Sequence, residues 1–168
     1  MRYGQIRPFD IANGEGVRVS IFVTGCTHNC EGCFNKEYQS FHAGSLWSNK
    51  ETGEVIKYLS RDVISGLTIL GGEPFQNEKD LTEIVKQIKK EVDKPIWIYS
   101  GYTFEQILES KEKTELLKLI DVLVDGKFEQ DKKDLKLRFR GSSNQRIIDV
   151  QESLKSGEVV LYELSDMK

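Results

Sequence analysis

Cys26, Cys30 and Cys33 are the only cysteines in the 168-residue chain. They fall together in the stretch Thr24-Gly25-Cys26-Thr27-His28-Asn29-Cys30-Glu31-Gly32-Cys33-Phe34. Thiolates this close in sequence can converge on one soft centre, and soft thiolate ligands select zinc, copper(I) or an iron–sulfur cluster. Their number narrows the choice. A closed structural zinc site takes four ligands, and His28 would complete a Cys3His set. A four-iron cluster that only carries electrons takes four cysteines. Three cysteines on a four-iron cluster leave one iron open to a substrate. A metal-free trio of packed thiols is the remaining alternative.

A cysteine loop of this kind needs a rigid element behind it. Val17 to Thr24 supplies one: it reads as a central strand with Val17, Val19, Ile21 and Val23 on one face. Before it, residues 1–16 are rich in turn formers (Pro8, Asp10, Asn13, Gly14, Gly16), with a short leading strand expected around Tyr3, Ile6 and Phe9. After the loop, Ser48 and Glu51 form a capping box that opens a helix through about Leu59. Leu67 to Leu70 is a short buried strand running into Gly71-Gly72-Glu73-Pro74. Asn77 is expected to cap the next helix, whose apolar set Leu81, Ile84, Val85 and Ile88 follows the helical period. Pro95 to Tyr99 is a strand closed by Ser100-Gly101. A second capping box, Thr103 with Gln106, precedes a stripe of Phe104, Ile107 and Leu108, and a further helix carries Leu116, Leu117 and Ile120. Asp121 to Val124 is a strand ending in Asp125-Gly126. A charged loop follows to about Asn144, then two last strands, Arg146 to Val150 and Val159 to Leu161.

Strands alternating with helices argue for βα units and a mostly parallel sheet. Four successive strands end in turns that carry glycine with thiol or polar groups: Gly25-Cys26, Gly71 to Glu73, Ser100-Gly101 and Asp125-Gly126. In a βα barrel such ends share the face where active sites are built, and a full barrel takes about 250 residues. A chain of 168 residues therefore predicts an α/β fold as a partial, open βα barrel, in one domain spanning 1–168.

The C-x3-C-x2-C spacing followed by an aromatic residue resembles the radical S-adenosylmethionine (SAM) family. More narrowly, Gly25 to Asn35 is similar to the activating proteins of anaerobic ribonucleoside-triphosphate reductase, as are Asp125 to Glu129 and Arg140-Gly141-Ser142-Ser143-Asn144-Gln145-Arg146. The resemblance covers nearly the whole chain and implies the partial barrel of the radical SAM type. It implies that Cys26, Cys30 and Cys33 hold a [4Fe–4S] cluster whose open iron binds SAM. It also implies that Gly32, Cys33 and Phe34 adjoin SAM, with Phe34 against the adenine. Gly71, Gly72 and Glu73 would face the methionyl amino group, since glycine admits close backbone approach and a carboxylate suits an ammonium. Ser100 and Asp125 would touch the ribose or the methionyl group; a turn-capping role is the alternative for Asp125. Ile98-Tyr99-Ser100-Gly101 holds no acid, so no monovalent cation site is expected there. His28 would shape the loop, contact a partner or face solvent. The implied partners are the large subunit of the reductase, which would receive a glycyl radical, and a low-potential electron donor such as flavodoxin.

Composition sets the outer limits. A net charge of −3 points to neither nucleic acid nor an anionic membrane. No apolar run approaches the roughly 18 residues a membrane span needs. The start Met1-Arg2-Tyr3-Gly4-Gln5-Ile6 has no apolar signal region, and clustered cysteines without an export signal favour a reducing cytoplasm and a metal over disulfides. Lys127 through Arg140 carries six basic and three acidic residues, an excess that suits an acidic partner or a solvated loop. Three rivals remain: a radical SAM enzyme acting on a small molecule, one acting on another glycyl-radical enzyme, and a non-catalytic zinc or iron–sulfur module.

Overall fold

The computed structural model describes residues 1–164. Its frame is one open sheet of seven strands in the order β3-β1-β2-β4-β5-β6-β7. The four central strands are β2 (Arg18–Val23), β4 (Gly66–Gly71), β5 (Ile96–Tyr99) and β6 (Val122–Asp125), all parallel. On one side lie β1 (Arg2–Asp10), antiparallel to β2, and the two-residue β3 (Ser45–Leu46), antiparallel to β1. On the other side β7 (Arg146–Asp149) runs antiparallel to β6. The sheet is an open array and not a closed barrel.

Each parallel crossover advances one position in the same direction. Because such crossovers are right-handed, their helices all fall on one face of the sheet. These are α1 (Asn49–Leu59), α2 (Glu78–Glu91), and the pair α3 (Phe104–Leu108) and α4 (Lys111–Leu117). The pleat sends alternate residues to opposite faces. Val19, Ile21, Val23, Leu67, Ile69, Ile96, Ile98 and Leu123 form one buried cluster with the helices' Val55, Leu81, Val85, Ile88, Ile107 and Leu116. The intervening residues Phe22, Leu70, Trp97, Tyr99, Val122 and Val124 line the helix-free face. At the base of that face Arg18 is buried, its guanidinium bonded to Thr68 Oγ1 and to the carbonyls of Glu15, Leu67 and Pro95. It stands over the Trp97 ring, and burial lowers its pKa to about 10. This charged core residue ties the turn before β2 to the lower ends of β4 and β5.

Both capping boxes form, at Ser48 with Glu51 and at Thr103 with Gln106. Three local expectations are corrected. Leu108 is 44% exposed, not buried: α3 is one short turn whose inward positions are Phe104 and Ile107. Val159 to Leu161 forms only a single bridge, Ile148 to Leu161, and the segment before it is a helix, α5 (Val150–Ser156). Asp149 caps that helix by accepting from the Glu152 amide, and Gly157 ends it at φ +80°. Asn77 occupies the N-cap position of α2 without a side-chain cap bond. Its amide instead donates to the carbonyls of Thr24 and Glu73.

Candidate metal centre

The upper ends of β2, β4, β5 and β6 lie side by side, as the order of parallel strands requires. Against them, on the helix-free face, sits a cavity of about 670 Å³, within the range of small-molecule sites. Cys26, Cys30, Cys33 and Phe34 line one wall, and Gly71, Gly72, Glu73, Ser100 and Gly101 line the floor. No helix of the described residues is long and apolar enough to cross a membrane.

All three cysteines are free and half-buried. The Asn35 amide donates to the Cys33 sulfur at 3.4 Å, and the backbone amides of His28 and Phe128 lie close enough to Cys26 and Cys30 to favour their thiolates. Burial pushes the Cys26 and Cys30 thiols up from their ordinary value, and these amides pull the other way. Amide donors to cysteine sulfur are also a principal means by which proteins tune iron–sulfur clusters. Three sulfurs on one cavity wall, with backbone amides beside them, fit a cluster with three cysteine ligands. For the alternative Cys3His zinc site, no three His, Cys, Asp or Glu side chains among the described residues converge closely enough to hold a single metal ion; the His28 ring Nε2 is bonded to Glu73 Oε1 at 2.7 Å.

The glycine turn is built for contact between backbones. Gly71 has φ +112°, and a Cβ there would lie 2.4 Å from the Val23 carbonyl oxygen; one on Gly72 would lie 2.6 Å from the carbonyl oxygens of Gly25 and Tyr38. No side chain fits at either position, which brings Glu73 directly beneath the cysteine loop. Its carboxylate is 1% exposed and accepts four hydrogen bonds. His28 and the Gly101 amide serve Oε1, while the Ser100 hydroxyl and the Phe75 amide serve Oε2, all between 2.7 and 2.9 Å. His28, Glu73 and Ser100 are thus one connected group, and the solvent-facing alternative for His28 is set aside.

Asp125 is placed differently. It is not among the residues lining the cavity. Its carboxylate caps α3 through the Phe104 amide at 2.8 Å and takes two bonds from Arg146, at 3.1 and 2.6 Å. Arg146 also reaches Glu105 at 2.7 Å. Removing Arg146 would leave Asp125, 1% exposed, with one donor. Breaking one side of a buried pair costs about 3–5 kcal/mol. Arg146 is itself 34% exposed, which reduces the expected cost of Arg146→Ala to roughly 2–3 kcal/mol. Thermal unfolding of the cluster-free protein should show a fall of about 4–12 °C; an unchanged midpoint would show that Asp125 does not depend on Arg146.

The charged segment after β6 covers the helix-free face and reaches the cysteine loop. Phe128 packs on Phe34 with ring centroids 4.8 Å apart, and Lys133 stands over the Phe34 ring at 5.4 Å. Gly32 has φ +72°, and a Cβ there would collide with the Gln130 side chain. The segment closes on itself where its two family-like stretches meet. Asn144 donates to the Lys127 carbonyl, Gln145 to the Gly126 carbonyl, and the Glu129 amide to Ser142 Oγ. Sequence reasoning missed the parts played by Phe128, Gln130 and Gln76. Gln76 bonds Thr27 twice, at 2.9 and 2.7 Å, and Tyr102 once, at 3.0 Å. Its position just after Gly71-Gly72-Glu73-Pro74-Phe75 was the one available signal.

Comparison with known proteins agrees with this site. The family described as 4Fe-4S single cluster domain matches residues 12–148. A protein of Pasteurella multocida named anaerobic ribonucleoside-triphosphate reductase-activating protein is 45% identical over 152 residues, covering 88% of this chain and 96% of that one. Proteins of the same name from Enterobacteria phage T4 and Escherichia coli K12 are 41% and 39% identical, over 150 residues each. The alignments cover 88% and 86% of this chain, and 93% and 96% of those proteins.

Proposed function

The chain belongs to the family of anaerobic ribonucleoside-triphosphate reductase-activating proteins and carries its 4Fe-4S domain, and from that premise we propose that it is a radical SAM activase. Its product is a glycyl radical on the large subunit of the anaerobic reductase. The observation that carries this reading is the convergence of the three cysteines, the glycine turn with Glu73, and Ser100 around one cavity. The open sheet is read as a partial barrel of the radical SAM type.

Cys26, Cys30 and Cys33 would hold the [4Fe–4S] cluster, which would supply the electron for reductive cleavage of SAM to methionine and a 5′-deoxyadenosyl radical, the species that would take the Cα hydrogen of a glycine and end as 5′-deoxyadenosine. The protein supplies orientation and exclusion of water. Phe34 and the facing Phe128 form the adenine side of the cavity; Gly32 is not among its lining residues and packs against Gln130 behind it. Gly71, Gly72 and Glu73 form the methionyl side, with Ser100 beneath. Asp125 acts through Arg146 and α3 to fix the end of β6. The electron comes from a low-potential donor of the flavodoxin kind.

Mixing the iron-loaded protein with SAM and dithionite under anoxia tests this reading. Slow 5′-deoxyadenosine formation is expected from the protein alone, and faster formation, near one equivalent per glycine oxidised, with the reductase. A colourless, zinc-loaded protein that leaves SAM intact would reject it. A small molecule as stoichiometric hydrogen donor would keep the radical chemistry and reject the activase.

The basic covering segment is the expected docking surface. Lys132, Lys133 and Lys136 are all exposed, and Lys133 also stands over the Phe34 ring, so the test leaves it in place. Charge reversal of Lys132 and Lys136 together should slow radical transfer to the reductase, most strongly at low salt, because rim charges act chiefly on association. SAM cleavage by the isolated protein should be unchanged. Transfer kinetics with no salt-dependent defect would remove this segment from the interface.

A further inference from the structure

His28 joins the cysteine loop to the carboxylate on which the two neighbouring strand ends meet. Its ring is 7% exposed and lies edge-on to Tyr102, with centroids 4.6 Å apart. It also fills the space over Gly101, where a Cβ would fall 2.6 Å from the imidazole. A carboxylate offers about four acceptor sites, and Glu73 uses four. Phe75, Ser100 and Gly101 come from the ends of β4 and β5; His28 alone comes from the cysteine loop. The rest of that loop has separate anchors: Cys26 N–H to the Gln39 carbonyl at 2.9 Å, Thr27 to Gln76, and the Thr24 carbonyl to Asn77. The loop therefore keeps its path without the His28 bond, and the Glu73 amide holds the Gly25 carbonyl at 2.7 Å; His28 is the one side chain of the loop that reaches the Glu73 carboxylate itself.

We propose that His28 is a positioning residue: its N–H bond to Glu73 sets the distance and angle between the cysteine-held cluster and the methionyl subsite. This rests on the SAM reading above. It assigns to one side chain the coupling of two subsites that the chain supplies from separate strand ends. Groups that orient ligands from behind typically change affinity or activity 10–100-fold when removed.

Two substitutions separate the bond from the packing. His28→Phe keeps an aromatic ring against Tyr102 and Gly101 but has no donor. His28→Gln loses the ring and keeps an N–H at similar reach. Each reconstituted protein is assayed for iron content, for SAM affinity, and for the change in the electron paramagnetic resonance spectrum of the reduced cluster when SAM is added. Wild-type iron content is expected in both. His28→Phe should bind SAM at least about tenfold more weakly and lose most of the spectral change, and His28→Gln should lie close to wild type on both measures. Three outcomes overturn the proposal: SAM affinity and spectrum unaltered in His28→Phe, a defect in His28→Gln as large as in His28→Phe, or loss of iron in either variant, which would make His28 a residue of loop folding or cluster assembly. A wild-type cluster that does not respond to SAM would instead reject the SAM reading on which the proposal rests.

Discussion

Cys26→Ala, Cys30→Ala and Cys33→Ala are each expected to abolish formation of a catalytically competent [4Fe–4S] cluster while leaving the sheet folded. The chain has no fourth cysteine to substitute. The folding argument is local. The three residues are half-buried on the wall of a cavity and stand outside the apolar clusters on both sheet faces. The loop retains its backbone bonds from Gly25 to Tyr38 and from Cys26 to Gln39, which no side chain provides. Iron content should therefore fall severely and radical formation should vanish, with circular dichroism little changed. Full activity in any one mutant would remove that cysteine from the ligand set.

Glu73→Ala should have the next largest effect, and on two quantities. All four acceptor sites of Glu73 are taken by His28, Phe75, Ser100 and Gly101, so its loss acts on SAM by releasing the groups that shape the methionyl subsite and by removing a nearby negative charge, with an expected loss of about 10–100-fold in affinity. The substitution also strands the buried donors of Ser100, Gly101 and Phe75, each worth about 1–3 kcal/mol when left unsatisfied. SAM binding should consequently weaken more than cluster assembly, and the cluster-free protein should melt several degrees lower. Unchanged SAM affinity at a lowered melting point would show Glu73 to be a structural hub only. Both unchanged would contradict the geometry.

The βα order, both capping boxes and the convergence of four strand ends were legible in sequence because each is a short-range pattern. The cysteine spacing was legible for the same reason. What escaped sequence reading is non-local. His28 meets Glu73 across 45 positions, and neither residue's neighbours advertise the pairing. Arg18 stands on the face of β2 opposite Val19 and Ile21, yet it is buried among backbone carbonyls where β4 and β5 begin. The segment 127–144 read as a charged loop at a rim. Its few aromatics decide its actual course: Phe128 reaches Phe34 and Phe139 reaches Trp97, at 4.8 and 5.6 Å between centroids, which draws the loop across the open face. The helix α5 was passed over because the Asp149 cap lies inside a strand-like run, and the apolar residues after Gly157 imitated another strand.

The central claim, that this cavity generates a radical on a glycine of the reductase, is tested most directly by isotope. The reductase is prepared with its glycines deuterated at Cα and mixed under anoxia with the iron-loaded protein, SAM and a low-potential reductant. With unlabelled reductase, the expected electron paramagnetic resonance signal is a doublet, split by the one hydrogen left on the glycyl Cα. With the deuterated subunit that doublet should collapse to a near-singlet, and one deuterium should appear in 5′-deoxyadenosine. A signal whose splitting ignores the label, or 5′-deoxyadenosine without deuterium, would place the abstracted hydrogen elsewhere and contradict the account.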